Sequence, residues 1–126
     1  MPKNEKVAVD YTKPANTFID KGITISAKEL RGDESVRIDG KFIGDIRLDG
    51  LLQIGPTGVV IGNIQISYAL ISGRVEGNIQ CRATLCLANT ARVTGDVFTD
   101  KIVMDEGSVF HGICKTREQI DDVTVI

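Results

Sequence analysis

The sequence predicts an all-β fold: a single-domain parallel β-helix of about six turns, each of 15–18 residues. Three observations predict it. An apolar–Gly–Asx–apolar phrase recurs along the chain, as GKFIGDI at 40–46, GVVIGNI at 58–64, GRVEGNI at 73–79 and ARVTGDV at 91–97, with GSVFHGI at 107–113 as a degraded last copy. Such repetition marks stacked architectures. Between the phrases polarity alternates with period two, as in Ile46-Arg47-Leu48-Asp49, the signature of a strand with one buried face. No helical stripe of period 3.6 persists between residues 22 and 115.

Each element follows from the repeat. A weaker first copy opens at Gly22 as GITISAK. The later copies, marked at 40, 58, 73, 91 and 107, define strands of two to five residues separated by Gly-Asx turns. Turns every 4–6 residues are too close together for a β-sandwich, whose turns fall about every 8–12 residues. Three short strands per turn, paired in parallel with the turns above and below, accommodate them. Equivalent residues then stack at roughly 4.7–4.9 Å. Phe42, Val60, Val75, Val93 and Val109 are expected in one internal column, and Ile46, Ile64, Ile79, Val97 and Ile113 in another. Gly44, Gly62, Gly77 and Gly95 form a corner column where close backbone approach or positive φ excludes a Cβ. Asp45, Asn63, Asn78 and Asp96 follow them, because Asx residues tolerate turns and bond to nearby backbone. The segments 54–58 and 87–91 read as longer loops at one corner, which accounts for the unequal unit lengths.

Composition narrows the function. The chain has 126 residues, a net charge of −2 and 25% charged residues, so it carries no electrostatic footprint for nucleic acid. Aromatics are scarce, and the core must be built from Ile, Val and Leu. No apolar run approaches the ~18 residues of a membrane span, and the N-terminus lacks the apolar region of a secretory signal. Three cysteines without an export signal read as reduced cytosolic thiols. Cys81 is expected inside, in line with Leu48 and Ile66, Cys86 exposed, and Cys114 facing outward after Ile113.

The succession RIDGKFIGDI, LLQIGPTGVVIGNI, ALISGRVEGNIQ, ARVTGDV and EGSVFHGICK resembles the bactofilin family of polymer-forming bacterial cytoskeletal proteins, from about Phe18 to Lys115. The resemblance implies a right-handed β-helix of triangular cross-section over 18–115, a disordered N-terminal tail over 1–17 and a flexible C-terminal tail over 116–126. It implies self-association end to end, without nucleotide, into non-polar filaments that scaffold cell shape or place partner proteins. It also implies a cytoplasmic location, with peripheral membrane contact through the N-terminal tail and partners in the cell envelope. The alternative is a β-helix that does not polymerise and binds one protein partner on a flat face.

Physics supports assembly independently, since a coil ends in unpaired strand edges unless it is capped. Neither flank offers an amphipathic capping helix. Phe110, Val109, Ile113 and Met104 are expected to form the C-terminal interface, and Phe18, Ile19, Ile23 and Ile25 the N-terminal one. Phe110 is placed in the slot of Ile43, Ile61, Glu76 and Thr94, where an aromatic is an interface anchor. An enzyme is not expected, and no cofactor or metal. Ile-Gly steps at 43, 54 and 61 break the six-residue rule of hexapeptide acyltransferases. The single histidine, His111, cannot supply a three-histidine zinc site within one chain, and is read as a solvent-facing residue in place of a corner glycine. Cys81 and Cys86 are too far apart for a zinc knuckle, no P-loop or GxGxxG is present, and the threonines do not align as an ice-binding row.

Overall fold

A computed structural model describes residues 17–117. All the strands among them belong to one continuous parallel coil. Chain order gives β1 (Thr17–Ile19), β2 (Thr24–Gly32), β3 (Val36–Ile38), β4 (Lys41–Leu48), β5 (Leu51–Ile54), β6 (Val59–Ile61) and β7 (Ile64–Ile71). β8 (Arg74–Glu76), β9 (Ile79–Leu87), β10 (Arg92–Thr94), β11 (Val97–Met104), β12 (Val109–His111) and β13 (Cys114–Thr116) complete the coil. Every pairing is parallel, between one turn and the next. The long strands bend around a corner and serve two faces, which is where β2, β7, β9 and β11 show register shifts or part company with a partner.

The coil therefore has three faces and six turns. Face one stacks the start of β2, the start of β4, β6, β8, β10 and β12. Face two stacks the end of β2, the end of β4, and the starts of β7, β9 and β11 under β13. Face three stacks β1, β3, β5 and the ends of β7, β9 and β11. Each face sends one column or two inward, and these meet in a single core of Ile, Val and Leu with Phe42 and Phe110. Burial of this apolar surface is the main stabilising term.

The central columns run as the repeat predicts: Phe42–Val60–Val75–Val93 on face one and Ile46–Ile64–Ile79–Val97 on face two. Cys81 is buried beside Ile66, as expected. The last copy departs from the prediction by one residue. Phe110, not Val109, pairs with Val93 and completes the first column, and it is 5% exposed. Cys114, not Ile113, pairs with Val97 and completes the second; it faces inward and is buried, contrary to the outward placement expected of it. His111 takes the slot of Thr94 rather than a glycine's, and the corner glycine is Gly112, with φ of 149°. His111 does face solvent. The cause is local. The corner from Thr99 to Lys101 is one residue shorter than that from Cys81 to Thr84. Gly107, a turn glycine with φ of 98°, also imitates the first glycine of the phrase. The first copy is offset likewise, since Ile25 rather than Thr24 pairs with Phe42.

The corner column explains the phrase. Gly44, Gly62, Gly77, Gly95 and Gly112 share φ between 141° and 149°, a region essentially closed to other residues. A Cβ at each of the last four would also collide with the carbonyl oxygen of the glycine one turn below. The Asx residues bond to the next turn rather than locally. Asp45 Oδ1 accepts the N–H of Asn63 at 3.1 Å, Asn63 Oδ1 that of Asn78 at 3.1 Å, Asn78 Oδ1 that of Asp96 at 3.0 Å, and Asp96 Oδ1 that of Ile113 at 3.3 Å. The phrase thus builds a hydrogen-bonded spine along one edge of the rod.

Strand pairing extends one residue beyond 18–115 at each end, to Thr17 and Thr116. The remainder of the two tails, 1–16 and 118–126, lies outside the described residues.

Candidate functional site

The two ends of the rod form the candidate site. At the N-terminal end β1 and β2 each have, among the described residues, one paired edge, toward β3 and β4. Nearly all of β2 is exposed, with only Leu30 half-buried. Of the predicted interface residues, Ile19 is buried in the first turn, while Phe18 (57%), Ile23 and Ile25 are exposed. Ile25 points into the core axis below Phe42, so its exposure is the open cross-section of the core itself.

At the C-terminal end β12, β13 and residues 101–104 of β11 pair, among the described residues, on one side only, with β10, β11 and β9. Phe110 is interior here and is the last piece of the core column. Met104, Val109 and Ile113 (45%) are exposed, and all three lie in the last turn. Sequence reasoning missed Val103, also exposed in that turn, and Phe98, exposed one turn below it on face two. The signal was available: Phe98 aligns with Gln80, a polar outward position, so an aromatic there breaks the alternation.

Chemistry elsewhere is muted. Burial raises the pKa of Cys81 and of Cys114, keeping both as neutral thiols. The one proton of the Cys81 thiol is within reach of the carbonyls of Ser67 and Thr84, and that of the buried Thr99 hydroxyl of those of Ala83 and Lys101. A shallow depression on face two is lined by Arg31, Arg47, Gln65, Gln80 and Arg82. Its arginines are ion-paired, Arg31 and Arg47 with Glu29 and Arg82 with Asp49. Among the described residues no cluster of His, Cys, Asp or Glu is arranged to hold a metal, and no helix is long and apolar enough to cross a membrane.

A single parallel coil, stacked turn on turn among the described residues, defines a class of protein, the β-solenoids. The family model of the bactofilins, described as polymer-forming cytoskeletal, matches residues 17–115. The chain belongs to the bactofilin family. It is similar to Bactofilin BacO of Myxococcus xanthus, 37% identical over 101 residues, covering 80% of this chain and 79% of BacO. It is also similar to Bactofilin BacP of the same organism, 33% identical over 97 residues, covering 77% of this chain. The chain spans 40% of the length of BacP. No solved structure gives a significant match.

Proposed function

We propose that this protein is a structural component of the cytoskeleton that assembles end to end, without nucleotide, into non-polar filaments. The filaments scaffold cell shape or the placement of partner proteins. The carrying observation is that, among the described residues, the terminal strands at both ends are paired along one edge only, beside exposed apolar side chains, Phe18, Ile23 and Ile25 at one and Met104, Val109 and Ile113 at the other. Unpaired edges template further strands, and exposed apolar area favours covering them. N-end to N-end and C-end to C-end contacts together give an open filament without polarity.

Negative-stain microscopy of the purified chain, with no nucleotide added, tests this. Filaments are expected. A monomer at high concentration would instead favour a binding module that uses a flat face for one protein partner. In the same reading the filament lies in the cytoplasm, touches the membrane peripherally through its N-terminal tail, and engages proteins of the cell envelope. Many weak anchors on one filament add up by avidity. Liposome co-sedimentation with and without residues 1–13 checks the membrane part, since equal pelleting removes it.

A further inference from the structure

The three faces differ on their outer sides. Face one shows Lys41, Arg74 and Arg92 to solvent, and face two shows Arg47, Gln65, Gln80 and Lys115, all exposed. The outward residues of face three are Leu51, Gln53, Tyr68, Leu70, Thr84 and Cys86 in its middle turns, and none of them is exposed. Leu51 is 6% exposed and Gln53 8%. Both alternate with Leu52 and Ile54, which fill the core, and Leu51 is no member of the core cluster. An outward leucine and glutamine on an open sheet should be wet. Every strand among the described residues is part of the coil, so none of them lies across this face. Its cations stand toward its ends: Arg37, next below Gln53, is held by Asp39 through two hydrogen bonds of 3.0 and 3.1 Å, and Lys101 follows Thr84 in the last turn.

We propose that residues 1–16 of this chain lie across face three and cover Leu51, Gln53, Leu70 and Cys86. The chain enters the coil at Thr17, on face three, in the first turn. Leu51 and Gln53 are in the third turn, about 10 Å along the rod at the strand spacing, and 16 residues reach roughly 50 Å when extended. The segment carries Val7, Val9 and Tyr11 at period two, giving an extended chain one apolar side, with Lys6, Ala8 and Asp10 on the other. Its lysines, Lys3, Lys6 and Lys13, suit Asp33 and Glu34, which border this face between β2 and β3. The C-terminal segment instead brings Glu118, Asp121 and Asp122, and leaves the coil beyond the sixth turn, where Val103 on the same face is exposed. Face three is then an internal docking surface, and release of the segment would bare an apolar strip along the rod.

Cys86 lies in the outward column of this strip, and the buried Cys81 and Cys114 serve as internal controls. The test is the rate of maleimide labelling at Cys86 in the full chain and in the triple variant Val7→Ser, Val9→Ser, Tyr11→Ser. Loss of a docked cover is expected to raise the rate about tenfold with Cys81 and Cys114 unchanged, as for opening of a protecting segment. An unchanged rate overturns the proposal. So does acceleration by Ile120→Ser with Val123→Ser instead, which would assign the cover to the other tail. Slowing of Cys86 with rising protein concentration, in chain and variant alike, would assign it to a second copy and also overturns the proposal. A photo-crosslinking residue in place of Leu51 gives an independent reading: intramolecular crosslinks to residues 1–16 are expected, and crosslinks only to another chain contradict it. Neither readout depends on filament formation.

Discussion

The first turn and the last turn close the same coil in different ways. In the first, β2 is exposed along nearly all its length and Ile25 leaves the core column uncovered. In the last, the column ends in Phe110 and Cys114, both buried, and exposure shifts to the outward and corner residues Val109 and Ile113. One end presents its cross-section and the other presents its rim. Surfaces so unlike match themselves more readily than each other only if each is self-complementary, which is the arrangement that yields a filament without polarity.

The largest expected effect lies between the ends. Gly77→Ala forces a side chain into φ of 148° and against the Gly62 carbonyl, and should cost about 3 kcal/mol or more in urea unfolding. Gly22→Ala in the first turn meets no neighbouring atom, though its φ is 89°, and should cost about 1 kcal/mol. Comparable losses at the two sites would show that the first turn is as tightly built as the middle.

Phe110→Ala, which empties a buried site, is expected to destabilise by about 3 kcal/mol, and the half-open Ile25→Ala by about 1 kcal/mol. Equal values would erase the difference between the ends. Phe110→Arg is for the same reason a poor probe of assembly, since it disrupts the last turn itself. Ile113→Arg and Val109→Arg sit on the rim. Either should abolish or shorten filaments in micrographs while the β-sheet circular dichroism stays unchanged; normal filaments from both would move the contact off the rim.

A smaller effect separates the thiols by pH. Burial holds the pKa of Cys81 and Cys114 above the ordinary 9.0 in the folded chain. The unfolded chain therefore ionises first, so the stabilising contribution is complete below the unfolded value and is lost as pH rises through the folded one. The urea midpoint should fall above about pH 9 in the native chain and fall less in Cys81→Ala. The smallest effect is Asp96→Ala, which removes the exposed bond to the Ile113 N–H and should cost about 0.5 kcal/mol. If it costs nothing, the spine is ornamental at this end.

The middle of the coil was legible in the sequence because its repeat is regular: Phe42 to Val93 and Ile46 to Val97 stack as the offsets require. The ends were less legible because turns there have their own lengths. Aligning the copies on the second glycine rather than the first would have found the register, since Gly44, Gly62, Gly77, Gly95 and Gly112 are the residues that geometry constrains. Phe110 and Cys114 would then have been read as interior. The buried outer side of face three carried no signal in periodicity, because Leu51 and Gln53 alternate like any outward pair.

The Asx spine has a mechanical consequence. Each of its links ties one turn to the next, and the run ends at Ile113, whose side chain has no oxygen to offer a further turn. In the proposed filament a subunit added at this end would be joined through the rim without a continuation of that seam. Under tension a filament of such rods would part at its joints and leave the rods whole, so its pieces would be whole multiples of one molecule's length.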